Sequence, residues 1–250
     1  MESGMRLPTA VHVQTQTLSQ PRVWVMPAPV VQPRPGLYQR YFKRVFDVVF
    51  ATIALIILFP LMVAIAIAIK LDSPGPVLHV QKRLGKGGKV FNFYKFRSMR
   101  ADIDHTQSHR QFARDFIQGK IAPPAADDDE DRIYKPPSDD ANITRVGRFL
   151  RRTSLDELPQ LINVIKGDMS LVGPRPNMWY ELEYYKTWHK RRLEVLPGLT
   201  GLPQVRGRSR LRFDEIVELD IQYIENLSFW LDIEIILQTI PMILTGNGAG

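Results

Sequence analysis

The feature that most constrains this chain is an uncharged apolar run, Val48 to Ile69, which reads VVFATIALIILFPLMVAIAIAI. Its 22 residues are enough for a transmembrane helix. It starts too far into the chain for a cleavable signal peptide, and no small-residue cleavage site follows it. Three details bear on how it would meet a bilayer. Pro60, near the middle, removes a helix hydrogen bond and predicts a kink or break. Both flanks are basic, with Arg40, Lys43 and Arg44 before the run and Lys70, Lys82 and Arg83 after it, so the positive-inside rule places both ends in the cytoplasm. Each half, about 12 residues, reaches roughly 18 Å at 1.5 Å per residue, short of a ~30 Å hydrocarbon core. A re-entrant helix that enters one leaflet, breaks at Pro60 and returns meets all three conditions. A kinked single span is the plainer alternative, and the residues alone leave both open.

Three regions follow from this division. Residues 1–39 carry six prolines among glutamines and threonines and read as a disordered tail. Residues 40–71 form the membrane element. Residues 72–245 are long enough for one compact domain with its own core. Within that domain Asp72 to Pro76 is a turn, and Val77 to Phe96 predicts a β-hairpin turning at Gly85, Gly87 and Gly88. Residues 101–143 are a polar insert. Leu155 to Lys166 has a helical pattern that stops at Gly167, Gly173–Pro176 and Pro197–Gly201 read as rigid loops, and Asp214 to Thr239 has helical spacing ending before Pro241.

Charge is laid down in blocks. Arg40 to Arg100 and Thr144 to Arg212 are strongly basic, the insert between them is acidic, and Phe213 to the end holds seven acids and no base. Two basic blocks, one touching the apolar run, call for anionic partners: phosphorylated substrates, lipid headgroups or nucleic acid. The chain has no cysteine, which excludes disulfides and thiolate metal sites.

Asp156 and Glu157 are the strongest chemical candidates. Locally, Ser154-x-x-Glu157 reads as a capping box, with acids where a first helical turn favours them. A helix N-terminus also attracts phosphate, and a carboxylate there, beside a second one able to hold a divalent cation, suits attack on phosphorus. Arg148, Arg151 and Arg152 crowd the same turn. They are either surface ion pairs or charge stabilisation for a diphosphate. Lys95 and Arg97 share a strand face, solvated or phosphate-binding. Gly85–Lys89 lacks the spacing and the Ser/Thr of a phosphate loop and is a hairpin turn. His105 and His109 lack a third metal ligand, and the Asp127–Asp131 run lacks the spacing of a calcium loop. Asp220, Tyr223 and Glu225 fall close together on the closing helix.

An ordered set of motifs says more than any one of them. It runs Lys43-Arg44-Val45-Phe46-Asp47, then Gln81-Lys82-Arg83-Leu84-Gly85, then Tyr94-Lys95-Phe96-Arg97-Ser98-Met99. It continues with Arg151 to Gln160 (RRTSLDELPQ), Gly167 to Pro176 (GDMSLVGPRP), Pro197 to Gly201 (PGLTG), Gln204-Val205, Gly207-Arg208 and Leu219-Asp220-x-x-Tyr223. In this order the motifs resemble the bacterial sugar transferase family of monotopic phosphoglycosyl transferases, the polyprenyl-phosphate hexose-1-phosphate transferases. The likeness covers about Tyr41 to Thr245 and leaves out the tail and much of the insert.

The resemblance implies an α/β, mostly α, protein: a re-entrant membrane helix plus a compact cytoplasmic catalytic domain with a small β-hairpin and interfacial amphipathic helices, on the cytoplasmic face of the bacterial inner membrane. It implies transfer of a sugar-1-phosphate from a UDP-sugar to undecaprenyl phosphate with release of UMP, an opening step in exopolysaccharide, capsule or O-antigen synthesis. Asp156 is then the nucleophile, Glu157 the Mg²⁺ ligand, and Lys95, Arg97, Arg151, Arg175 and Asp220 substrate or phosphate residues. Membrane lipids are expected partners, nucleic acid is not, and a homodimer is allowed. Two positions depart from the family pattern. Phe59 precedes Pro60 where the family commonly has Ser, which removes a hydroxyl able to satisfy backbone groups at a break. Pro203 replaces a usual aromatic.

Two other readings compete. A non-catalytic membrane-anchored scaffold for polysaccharide assembly would tolerate replacement of both acids. A nucleic-acid binder would fit the isoelectric point near 9.7, but the chain carries no helix-turn-helix, finger or RNA-binding signature.

Overall fold

The computed structural model describes residues 36–100, 106–121, 142–207 and 211–245. The proline-rich stretch before residue 36, His105 and the Asp127–Asp131 run lie outside them. The apolar run forms the core of a 30-residue helix, α1 (Lys43–Asp72), entered through a π-helical turn at Tyr38–Phe42. Of the kink or break that Pro60 predicts, there is no break: α1 passes through the proline as a single element. The proline costs one backbone bond, whereas ending a helix there would free several carbonyls among apolar side chains with no water to meet them.

Against α1 stands a domain that is mostly helical with two small sheets. β1 (Leu78–Leu84) and β2 (Val90–Phe96) form the expected antiparallel hairpin, in register from Leu78↔Phe96 to Leu84↔Val90. Gly87 and Gly88 take positive φ at its turn, a conformation glycine adopts without steric cost. Five helices follow in the described residues up to Arg206 and Glu225: α2 (Thr106–Ile117), α3 (Arg145–Arg152), α4 (Gln160–Lys166), α5 (Leu202–Arg206) and α6 (Phe213–Glu225). The last described element is α7 (Phe229–Thr245). Between α4 and α5, β3 (Ser170–Val172) pairs in parallel with β4 (Gly198–Thr200).

Three local expectations are revised. The helix foreseen from Leu155 to Lys166 is two pieces, a 3-10 turn at Leu155–Glu157 and then α4, which does stop at Gly167 (φ 91°). The capping box at Ser154 is not formed: Ser154 is left-handed (φ 55°, ψ 16°), not extended as an N-cap must be, and its side chain makes no cap bond. The closing helical pattern is two helices, α6 and α7, and Pro241 lies within α7.

One stripe of α1 packs on the domain along its length. Ala51 joins Phe93, Leu161, Val164 and Met169 in one cluster, and Ile65 and Ile69 join Phe96 and Leu150 in another. The opposite stripe of α1 is apolar and exposed, including Phe50, Ile53, Ile56, Ile57 and Phe59. So large an uncovered apolar face marks a lipid or protein contact.

Both ends of α1 are fixed to the same domain by polar contacts. At the N-terminal end the buried Lys43 Nζ lies 3.0 Å from Asp47 Oδ1 and 2.8 Å from Asp232 Oδ2 of α7. The Tyr38 and Tyr223 hydroxyls donate to the same Asp232 at 2.7 and 2.8 Å. Arg44 donates to the carbonyls of Val164 and Ile165 at the end of α4, at 2.6 and 2.8 Å. At the C-terminal end Arg97 donates to the carbonyls of Ile69, Ser73 and Pro74 at 3.3, 2.6 and 2.8 Å. Asp72 accepts from the Val146 N–H of α3 at 3.1 Å.

Candidate active site

The carboxylate pair sits on the 3-10 turn between α3 and α4. A non-glycine residue at positive φ, Ser154, turns the chain out of α3, and such strain of order 1–3 kcal/mol persists where the surroundings impose it. The turn sends the two neighbouring acids to different places. Asp156 is 7 % exposed. The Glu157 side chain is 24 % exposed and is gripped by Arg175, with Nη2 to Oε1 at 2.6 Å and Nη1 to Oε2 at 3.4 Å. A planar guanidinium meeting a carboxylate with two nitrogens fixes direction as well as charge.

The surroundings split the two acids electrically. Burial, then the negative charge of Glu157, pushes the Asp156 carboxyl up to about 6, against the opposing pull of Lys95, Arg175 and Arg151. Burial would raise Glu157 too, but the Arg175 guanidinium and its hydrogen bonds outweigh it and hold that carboxyl below its ordinary value. Burial takes Lys95 down to about 8 in spite of the nearby Asp156. Paired carboxylates whose surroundings push them apart are a mark of functional sites.

Of the residues singled out in the sequence, the structure brings together Asp156, Glu157, Arg175, Lys95 and Arg151. They arrive from the 3-10 turn, the loop after β3, β2 and the last turn of α3. Arg151 is half-buried and acts on Asp156, while Arg148 and Arg152 are exposed. Two residues lie elsewhere. Arg97 is buried, and its bonds go to the end of α1. Asp220, on α6, is 1 % exposed and pairs with Arg192 at 2.7 Å, behind the Arg175 loop.

Arg83 was missed as a site residue. Its guanidinium lies 4.6 Å from the centre of the Phe93 ring and donates to the Pro176 carbonyl at 2.6 Å. Burial and then Arg175 lower it to about 10, and the charges of Glu157 and Lys95 are felt in the same place. The signal was available. In the hairpin register His79 faces Lys95 and Arg83 faces Phe91, so Arg83 and Lys95 lie on one face of the sheet.

Glu157 supplies hard carboxylate oxygens at the edge of the site, which suits Mg²⁺, an ion that takes one or two carboxylates and fills its remaining positions with phosphate oxygens and water. Among the described residues no group of three or more His, Asp or Glu side chains is placed to hold a metal by protein ligands alone. The Lys86–Gly88 turn joins β1 to β2 as a hairpin turn, as its spacing indicated.

The sequence model of the bacterial sugar transferases matches residues 38–246. The chain belongs to the bacterial sugar transferase family. Among its relatives, a galactosyl transferase of Streptococcus agalactiae is 43 % identical over 212 residues, covering 83 % of this chain and 43 % of the relative. An undecaprenyl-phosphate galactose phosphotransferase of Salmonella typhimurium is 41 % identical over 210 residues, with 84 % and 42 % covered. A UDP-glucose:undecaprenyl-phosphate glucose-1-phosphate transferase of Caulobacter vibrioides is 42 % identical over 228 residues, with 87 % and 75 % covered. The chain thus spans less than half the length of the first two relatives. Within this family of sugar transferases, the matched region contains α1 and every site residue described above.

Proposed function

We propose that this sugar transferase moves a sugar-1-phosphate from a UDP-sugar to undecaprenyl phosphate, releasing UMP, through a covalent intermediate on Asp156. The observation that carries the reading is the pairing of a buried, weakly acidic Asp156 with a Glu157 fixed on Arg175, inside a ring of further cations, Arg83, Lys95 and Arg151. Relatives whose names specify undecaprenyl-phosphate transfer of galactose or glucose phosphate support the same chemistry.

In this reading an Asp156 carboxylate oxygen bonds to the sugar-side phosphorus, and the bond from that phosphorus to the bridging oxygen breaks. UMP leaves with the bridging oxygen. A phosphate oxygen of the polyprenyl acceptor then attacks the same phosphorus and displaces Asp156, giving a polyprenyl diphosphate sugar. Two steps through one carboxylate spare the site from holding a soluble polyanion and a lipid at once. Arg175, Lys95, Arg151 and Arg83 offset the phosphate charge where it develops. Glu157 would hold Mg²⁺ together with phosphate oxygens and water, and the ion would supply Lewis-acid stabilisation of those oxygens.

The membrane geometry belongs to the same proposal. Both ends of α1 stay on the cytoplasmic face of the inner membrane and its middle dips into one leaflet, bending without ending at Pro60, where a backbone bond is missing; this re-entrant element sets the site at the interface where a polyprenyl phosphate presents its headgroup. Its support is that Lys43, Arg44 and Asp47 at one end and Ile69 and Asp72 at the other all contact one domain. A helix crossing the bilayer would place those ends on opposite sides of a ~30 Å core. The exposed Phe229, Trp230, Leu237 and Ile240 of α7 extend the apolar surface and suit contact with lipid. A UMP-release assay with membrane fractions, undecaprenyl phosphate and a panel of UDP-glucose, UDP-galactose and N-acetylated UDP-sugars tests the reaction. Release above background that depends on the acceptor for continued turnover supports it, and none with any donor removes it.

A further inference from the structure

The loop that carries Arg175 contains Pro174 and Pro176, so two of its residues have no N–H to give to a ladder. Its carbonyls are what the surroundings can hold, and four consecutive ones are held from four places. The Gly198 N–H donates to Pro174 at 2.9 Å and the Leu84 N–H to Asn177 at 2.8 Å. Arg83 Nη1 donates to Pro176 at 2.6 Å, and Arg192 Nη2 to Arg175 itself at 3.1 Å. Three of these donors belong to the strands or to a cation of the site. Arg192 is none of these.

Arg192 is 3 % exposed and rests in a buried polar setting of its own. The same Nη2 lies 2.7 Å from Asp220 Oδ2, Nη1 lies 3.3 Å from the Tyr185 hydroxyl, and the guanidinium stands 5.6 Å from the centre of the Phe213 ring. A buried ion pair of this kind is weak as a source of stability, because the loss of hydration offsets the attraction and an apolar pair of similar volume often does as well. What an apolar pair does not supply is a directed donor to the carbonyl of Arg175.

We infer that Arg192, oriented by Asp220, is a positioning residue of the active site: it fixes the backbone of Arg175 and so aims that guanidinium at Glu157. This rests on the transfer reaction proposed above. It gives Asp220 a place three contacts from Glu157, through Arg192 and Arg175, in keeping with its burial.

The test replaces the pair together, as Arg192→Met with Asp220→Leu, so that no lone charge is left buried, and combines it with Arg175→Ala. The expected result is a kcat at least about tenfold lower for the paired replacement, with KM for the UDP-sugar changed less than about threefold. In the Arg175→Ala background the same replacement should cost less than about twofold, since residues acting through one another are not additive. Arg192→Lys, which keeps a charge without the planar fork, should not restore the rate. Full additivity, or wild-type kcat in the paired replacement, overturns the inference and leaves a merely structural tie between α6 and the preceding turn. Hydrogen exchange over residues 173–178 reads the positioning without turnover: faster exchange in the paired replacement is expected, and unchanged exchange overturns the inference whatever the rate does. A silent wild-type enzyme would defeat the proposed reaction instead, with the exchange measurement still deciding whether Arg192 holds the loop.

Discussion

Arg175 grips Glu157 with both terminal guanidinium nitrogens, at 2.6 and 3.4 Å, and leaves the neighbouring Asp156 to the longer-range field of Lys95, Arg175 itself and Arg151. One acid is thereby fixed in direction and held below its ordinary carboxyl value. The other stays buried and more basic, which suits a nucleophile.

The first consequence is a pH dependence. In the proposed reaction attack requires ionised Asp156, and burial pushes that carboxyl up to about 6. The kcat/KM for the UDP-sugar, which reports the free enzyme, should therefore fall about tenfold per pH unit below about 6, since protonation removes the nucleophile. A pH profile of UMP release checks this, and a flat profile down to pH 4.5 contradicts it.

The same shift has a sign for stability. A carboxyl raised above its unfolded value binds its proton more tightly in the folded state, so its contribution to stability is lost as pH rises from the ordinary carboxylate range through about 6. Asp156→Asn should then be more stable than the wild type at pH 7.5, by on the order of 1–2 kcal/mol, while losing transfer. Thermal unfolding in nanodiscs at pH 5 and pH 7.5 reads the gain, which should shrink at the lower pH.

Replacing Arg175 tests the grip. Arg175→Ala should lower kcat by about 10²-fold or more, the scale of losing one preorganised donor at developing charge. Arg175→Lys should recover little, because an ammonium cannot meet both oxygens of Glu157. Steady-state rates at several Mg²⁺ concentrations measure both.

Lys43 offers a structural prediction. It stands between the buried Asp47 and Asp232, so Lys43→Met leaves two carboxylates without their cation and should cost about 3–5 kcal/mol. The double replacement Lys43→Met with Asp232→Leu should regain part of that loss. Denaturation of the detergent-solubilised protein compares them.

Part of this was legible in the sequence. The hairpin was marked by its glycines and alternation, the end of α4 by Gly167, the long apolar helix α1 by its uncharged run, and the carboxylate pair by the arginines around it. Arg97 misled because β2 ends at Phe96: Lys95 stays on the sheet facing the acids, while Arg97, next in the alternation, turns to the end of α1. Asp220 gave no local sign of its partner, since Arg192 is distant in sequence and the contact exists only after α6 packs on the turn that carries it. β3 and β4 are three residues each, too short for any period to show, and Lys43 and Asp232 meet from opposite ends of the chain. Strand alternation and turn chemistry are local. Ion pairs that close a fold are not.

The absence of natural cysteine makes the topology directly measurable. Single cysteines at Gln39 and Ser73, one on each flank of α1, should both resist an impermeant reagent in intact cells and both react once the inner membrane is opened. Labelling of either from the periplasm contradicts the re-entrant reading.

The central claim is the covalent step on Asp156. Incubating the purified protein with a UDP-sugar labelled in the sugar-side phosphate, without polyprenyl phosphate, should release close to one UMP per active site and leave label on the peptide containing Asp156. Adding undecaprenyl phosphate should then discharge that label into lipid. Transfer that proceeds with acceptor present, but with no UMP burst and no labelled peptide in its absence, would contradict the account.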